Sequence, residues 1–488
     1  MTPPRMLTTI TALLLLVVAA NLWIFARFTV DDAFITWRYG LTLIRHGIWA
    51  YNPDGFDLAQ AYTNPIYALA SILPAGLGWD MVLTFKLISL ALLGLLCWAF
   101  LRLAGDRALM RFVLALLMAV PATVAHAFSG LETLLYGGAL ALWFIAQERR
   151  DWRLALGMVA VLVLTRPEAW LLFALHPLAL VMARADWARV VRHSLALGLL
   201  AGVYFGFHLW WFGSALPNTY YVKAGDGFSG AQALRILPYA LPGLAVALWG
   251  NRRTGLLLIA YFGAVGYSYA GSDLLMNYLQ RFPFQIALPM ALYLGWALSH
   301  ATKPGTATLG LTAYVLAFGW HSWSLGDHLG IANYYPRLLT AHVALGRAIA
   351  DSEIEAFALQ DAGAPAFHAD RRALDTIGLA SALVAREGLG PEVLRQYNPA
   401  LVGFLADAEG IVDRPDRHAA LWSYVEEQGF TPLCTLVWAP HYQLALYTAG
   451  PQPEVEATCA RSAEANGAYE LPFALAQLRR PPWAYWHE

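Results

Sequence analysis

The sequence predicts a polytopic α-helical membrane protein that ends in a soluble, mixed α/β domain. Three observations predict it: a composition too apolar for a soluble chain, a succession of uncharged stretches long enough to cross a bilayer, and a change of composition near residue 330. Of the 488 residues, 58% are hydrophobic and only 13% are charged, and the mean hydropathy is +0.49. Soluble domains carry roughly twice that share of charge. The formal net charge of -1 lacks the basic footprint that nucleic acid requires, which excludes nucleic acid as a partner.

The first apolar stretch has no charged residue between Leu7 and Ala26, and about 20 apolar residues suffice to span a bilayer. With no small-residue cleavage site behind it, it reads as a retained anchor rather than a signal peptide. Further stretches lie near residues 82–101, 109–128, 131–147, 153–165, 168–183, 190–212, 234–250, 254–271, 282–299 and 306–325, so about eleven transmembrane helices are expected. Arg5, Arg102, Arg107, Arg111, the Arg149/Arg150/Arg153 and Arg184/Arg189/Arg192 groups, Arg252, Arg253 and Lys303 all fall on one side of these spans. That side is the cytoplasm by the positive-inside rule. Asp31 and Asp32, directly behind the first span, are then extracytoplasmic.

From about Gly330 the apolar runs end, and 19 of the chain's 33 acidic residues follow. We therefore expect a transmembrane domain over 1–329, with an outer loop at 29–80, and a soluble domain over 330–488. An odd number of spans puts the soluble domain outside, where Cys434 and Cys459 would be free to pair. Ala356–Leu359 and Leu436–Ala439 read as short buried strands and Ala420–Gln428 as a helix. Behind the aspartates, Phe34, Trp37, Leu41 and Ile44 alternate at helical spacing with Arg38, Thr42 and Arg45. This is the pattern of a helix lying along the membrane interface.

An acidic pair at a helix start is ordinarily a cap, and so is Asn64 before Pro65 in Tyr62-Thr63-Asn64-Pro65. A helix N-terminus also receives anions, so cap and phosphate site are compatible. Ser129-Gly130-Leu131-Glu132-Thr133 and Thr165-Arg166-Pro167-Glu168 place charges at outer span ends, where they must pair or meet water. Arg166 either neutralises its neighbours or meets a phosphate, with Glu132 and Glu168 then available to sugar hydroxyls. Leu216-Pro217-Asn218-Thr219-Tyr220-Tyr221-Val222-Lys223 combines an aromatic belt with a lysine that either snorkels or neutralises a phosphate. Asp273 and Arg281, flanking Asn277 and Gln280, form either a salt bridge or part of the same outer site. The cytoplasmic loops hold no glycine-rich nucleotide loop, so a donor activated in advance, a lipid phosphate, is expected outside.

The run Asp31-Asp32-Ala33-Phe34-Ile35-Thr36-Trp37-Arg38-Tyr39, with Tyr62-Thr63-Asn64-Pro65, Gly130-Leu131-Glu132-Thr133, Leu164-Thr165-Arg166-Pro167-Glu168 and Leu216-Pro217-Asn218-Thr219, resembles the motif series of C-type (GT-C) glycosyltransferases related to the mycobacterial terminal arabinofuranosyltransferase. Gln360-Asp361-Ala362-Gly363-Ala364 and Asp375-Thr376-Ile377-Gly378-Leu379 resemble that group's extracytoplasmic domain. The resemblance implies a bacterial plasma-membrane enzyme that transfers a sugar, arabinofuranose among the candidates, from a polyprenyl monophosphate donor with inversion onto a cell-envelope glycan. It also implies that an aspartate of the first outer loop, Asp31 or Asp32, is the general base.

Arg38, Arg166, Lys223 and Arg281 are the candidates for stabilising the departing phosphate, where fixed cations act on charge that develops in the transition state. No cofactor is required; Mg²⁺ or Mn²⁺ held by Asp31, Asp32 and a phosphate would suit the hard oxygen ligands. In the soluble domain, Trp422, Trp438, Trp483 or Trp486 would stack on acceptor sugar rings or pack in the core, and Asp361 would shape a tight turn. The competing class is a transporter or flippase of lipid-linked sugar, which would carry ionisable residues within its spans and internal repeats. The sequence shows charges mainly at span ends and no repeat.

Overall fold

The computed structural model describes residues 3–223, 227–249, 251–274, 276–302, 305–326, 328–412, 415–439 and 442–468. Lys303, Trp483 and Trp486 lie outside them. The chain forms two compact units: one of Met1–Arg27, Phe85–Gly206 and Lys223–His328, and one of Phe28–Thr84, Phe207–Val222 and Leu329–Glu488. The change of composition near residue 330 thus falls at a unit boundary, and the outer segment 28–84 folds together with the C-terminal part.

The first unit is helical. Every expected span contains helix: Pro3–Ile24, Met81–Leu103, Arg107–Ala119 with Pro121–Phe128, Thr133–Arg149, Trp152–Val163, Pro167–Leu171 with Leu172–Met182, Trp187–Phe212, Gly230–Trp249, Arg252–Ala270, Arg281–Ser299 and Gly305–Gly326. Among the described residues, Met81–Leu103, Trp187–Phe212 and Tyr278–Ser299 are long and apolar enough to cross a membrane individually. The first two expose rows of large apolar side chains, including Leu83, Leu87, Trp98, Leu195, Leu199 and Trp210, as a surface against lipid tails must. Tyr278–Ser299 is largely enclosed, with 83% of its apolar 18-residue stretch buried. Arg107–Ala119 and Pro121–Phe128 meet at 72°. Pro121 causes the break: it forces Val120 into an extended conformation (φ -70, ψ 118) and removes a backbone donor. Three acids on the arginine-rich side are helix caps. Asp106 accepts from Ala108 and Leu109, Asp151 from Leu154, and Asp186 from Arg189, which satisfies otherwise orphaned N–H groups.

The second unit is built on a six-stranded mixed sheet of order β2-β1-β3-β6-β5, with β4 paired to β3. The strands are β1 Ala356–Leu359, β2 Arg372–Asp375, β3 Leu401–Asp407, β4 Gly410–Ile411, β5 Thr431–Ala439 and β6 Tyr442–Thr448. The first three run parallel and the rest are antiparallel. The expected strand Ala356–Leu359 is β1, Leu436–Ala439 is the end of β5, and the expected helix 420–428 is the second half of Pro415–Gln428. Cys434 on β5 and Cys459 on the helix Pro453–Ala468 form a disulfide, their Cα atoms 6.2 Å apart.

The outer segment is sewn to this sheet. Asn52 accepts from the β2 amide of Ala373 (2.9 Å), which occupies an edge group that would otherwise face solvent. Asp54 pairs with Arg372, and Asp57 accepts from Ala382 (3.0 Å), Leu383 (3.1 Å) and the Tyr397 hydroxyl (2.6 Å). The helix Asp32–His46 is buried on every side from Ala33 to Thr42 and packs on Pro65–Ala70, Ile72–Leu77 and Ala364–Ala369. The expected interfacial helix is therefore a core helix. Its polar face is covered because the backbone carbonyl of Arg371 accepts from Arg38 and the Tyr51 ring lies 4.3 Å from that guanidinium. Gly40 permits the closest approach, since a Cβ there would overlap Ser71.

Candidate active site

Asp31 and Asp32 stand at the start of the second unit's core helix. Asp31 is buried (6% exposed) and Asp32 is half-buried. Asp31 is not the cap of its own helix: its side chain makes no capping bond there. Its carboxylate instead crosses to the turn that follows β1, accepting from the amides of Gly363 and Ala364, both at 2.8 Å, and from His342 Nδ1 at 3.1 Å. The seat is built for it, because a Cβ on Gly363 would collide with the Asp31 carboxylate. Asp361, at the carboxyl end of β1, accepts from the Tyr442 hydroxyl (2.9 Å to Oδ1) and lies 3.7 Å from His342 Nε2. The acidic pair is thus set at the carboxyl end of a parallel strand flanked by β2 on one side and β3 on the other. Crevices at such positions are where open α/β sheets take ligands.

His342 escaped the sequence reading. It stands in the apolar run Leu338–Leu345 of the helix His328–Ala350, where nothing local distinguishes it from a packed core residue. Its partner Asp31 is the signal, and that residue lies 311 positions away in the chain. Burial lowers the pKa of the imidazole, but the hydrogen bond and charge of Asp31, with the charge of Asp361, hold it above its ordinary value. Burial pushes Asp361 up to about 6, against the pull of His342 and with the charges of Asp31 and Asp32 adding to the rise.

Asp375, at the end of β2, is pushed up to about 6 by burial, opposed by N–H groups of Ala380, Ile377 and Gly378. A carboxyl whose folded pKa exceeds its unfolded value binds more protons when folded, so its contribution to stability falls as pH rises through that window. For Asp375→Asn, which cannot ionise, the difference in Tm (variant minus wild type) should therefore rise between about pH 4 and pH 6 and level off above about pH 7. Thermal unfolding of the two proteins across that range checks it; a difference independent of pH would contradict it.

The remaining residues of the second unit act locally. Arg38 is wholly buried. Asn64 precedes its helix without a side-chain cap bond and accepts from the Thr36 hydroxyl (3.0 Å), tying two helices together. The Tyr62 hydroxyl accepts from Trp49 (3.0 Å), and Thr63 is half-buried beside it. The Asn218 amide donates to Gln60 (3.0 Å) and its side chain to Gly378 (3.5 Å). Trp422 stacks on Phe404 at 4.3 Å and Trp438 packs between His342 and Tyr442. Trp438 is held in the domain's interior, and Trp422 is partly buried against the core.

The first unit carries a second cluster. Arg166 donates from Nη1 to Glu132 (2.6 Å), and from Nε and Nη2 to the two oxygens of Glu168 (3.1 and 2.8 Å). The Tyr269 hydroxyl stands 2.9 Å from Glu168 and 2.7 Å from the Gln285 carbonyl; its single proton serves one acceptor at a time. Arg281 lies 3.7 Å from Glu132, so its ion pair is with that residue rather than with Asp273. Asp273 donates its amide to the Lys223 carbonyl at 3.1 Å. Lys223, Arg166 and Arg281 all lie within 6.0 Å of the Phe282 ring centroid. Three of the four candidate phosphate cations are therefore gathered around one ring.

Among the described residues there is no group of three or more His, Cys, Asp or Glu side chains that could hold a metal ion.

No protein-family model and no curated protein matches the chain in sequence. Among solved structures, the chain is similar to ArnT from Cupriavidus metallidurans bound to undecaprenyl phosphate, at 15% identity and a TM-score of 0.53, over 91% of this chain and 100% of that one. The likeness is one of architecture, extending through both the helical part and the C-terminal sheet, and it establishes that this chain has the membrane-protein fold of ArnT.

Proposed function

We propose that the protein is a C-type glycosyltransferase that moves a sugar from a polyprenyl monophosphate to an extracytoplasmic glycan. The observation that carries the reading is the acidic pair held at the carboxyl end of β1, in a chain whose fold is that of a protein solved with undecaprenyl phosphate. The disulfide between Cys434 and Cys459 supports an oxidising, extracytoplasmic location for the sheet domain, in agreement with the arginine asymmetry of the loops. The motif series supports arabinofuranose as the first sugar to try.

Asp32 acts as general base, because it is the more exposed of the two aspartates. It takes the proton of an acceptor hydroxyl as that oxygen bonds to the anomeric carbon. The bond from that carbon to the phosphate oxygen breaks on the opposite face, giving inversion, and the electron pair leaves with the polyprenyl phosphate. A departing phosphate needs fixed positive charge, for which Arg166, Lys223 and Arg281 remain the first unit's candidates. The two carboxylates that share the cluster keep its guanidinium groups oriented.

Incubating the purified full chain with a panel of polyprenyl phosphate sugars and an envelope glycan acceptor, and reading products by mass spectrometry, tests the proposal. A glycosidic product from at least one donor supports it. Translocation of sugar lipid in liposomes with no product from any donor would identify a transporter instead.

A further inference from the structure

Asp31 and Asp32 are consecutive, so whatever fixes the first fixes the second: their Cα atoms are about 3.8 Å apart across a rigid peptide. Asp31 is held from two elements distant in sequence, the Gly363/Ala364 turn and the helix His328–Ala350 through His342. A carboxylate only accepts, so His342 Nδ1 must carry the hydrogen and donate it. The ring has no freedom to do otherwise. It is fully buried, it lies edge-on to Trp438 at 4.9 Å, and its other nitrogen faces Asp361 at 3.7 Å. Trp438 in turn packs on Tyr442, whose hydroxyl donates to Asp361. His342 is thereby locked on three sides and presents a single donor to Asp31.

We propose that His342 is the positioning residue of the candidate base: acting through Asp31, it sets where the Asp32 carboxylate stands, and it does not touch the reacting groups itself. The proposal rests on the reading of Asp32 as base. A displacement of about 1 Å at a reacting group costs about 10²-fold in rate, and positioning of that kind acts on the chemical step rather than on donor affinity.

The test uses the full chain in detergent. His342→Leu fills the space without a donor, His342→Asn places an N–H where Nδ1–H stands, and His342→Gln places one nearer Nε2. The expected result is a fall in kcat of about 10²-fold for His342→Leu with donor KM within a few-fold of wild type, substantial recovery in His342→Asn, and little in His342→Gln. Should His342→Leu not accumulate, the Asn and Gln variants carry the comparison. Equal activity in those two, or wild-type kcat in the Leu variant, overturns the proposal. The link to Asp31 is also read without activity, by a double-mutant cycle of thermal unfolding on His342→Asn and Asp31→Asn. Additive effects there overturn the proposal. If the wild-type chain makes no product while the cycle shows coupling, it is the functional reading that fails, and the two failures are thereby told apart.

Discussion

Arg166→Ala is expected to lose about 3–5 kcal/mol of stability and most of the folded protein with it. The guanidinium is the shared partner of Glu132 and Glu168, whose side chains are 1% and 13% exposed. Its removal takes the guanidinium from Glu168 and the shorter of two ion pairs from Glu132, which keeps Arg281 at 3.7 Å, and desolvation makes such buried carboxylates expensive. Arg166 also joins separate parts of its unit: Glu132 precedes the helix Thr133–Arg149, Glu168 lies in the turn Pro167–Leu171, and Tyr269, 2.9 Å from Glu168, ends the helix Arg252–Ala270. Arg166→Lys should fall between, because an ammonium cannot span the two oxygens of Glu168 and reach Glu132 as a planar fork does. A combined Arg166→Met, Glu132→Gln and Glu168→Gln variant should recover much of the loss, since it removes Arg166 and its two carboxylate partners together rather than one of them. Thermal unfolding in detergent, with size-exclusion profiles, checks the series; wild-type Tm in Arg166→Ala would show that the cluster does not hold the unit together.

The second large effect is on activity. Asp32→Asn should lower kcat by about 10²–10⁴-fold, the usual contribution of a general base, with Tm close to wild type because the residue is half-exposed. Asp31→Asn should differ in kind. Its amide would turn a donor either toward the Gly363 amide or toward the Ala364 amide and His342 Nδ1, leaving a buried donor unmet at a cost of about 1–3 kcal/mol. A loss of activity in Asp31→Asn is therefore expected together with a fall in Tm. Full activity in Asp32→Asn, with wild-type protein active under the same conditions, would remove Asp32 from the mechanism.

The helical part was legible in the sequence because uncharged length is itself the signal for a span, and every expected stretch contains helix. The pairing of Arg166 with Glu168 was legible for a similar reason: two charges at one membrane boundary must compensate one another. What periodicity does not convey is which element covers a polar face. Arg38 sits opposite the apolar stripe of its helix and reads as exposed, yet the Tyr51 ring and the Arg371 carbonyl close over it. Local rules misjudged Asp31 in the same way. They make an acid at a helix start a cap, whereas its partners are a turn more than 300 residues onward and a histidine in an apolar run. Asn64 was read as a cap by the same logic and is bonded to Thr36 of a neighbouring helix instead.

The central claim is that sugar transfer from a lipid monophosphate occurs on this chain, and stoichiometry tests it most directly. With a donor labelled in both sugar and lipid, the purified protein should release one polyprenyl monophosphate for each glycosidic bond formed, and NMR of the product should show the anomeric configuration inverted relative to the donor. Retained configuration would contradict single displacement by an Asp-activated acceptor, and passage of the doubly labelled lipid across a bilayer without release of polyprenyl phosphate would contradict the enzyme altogether.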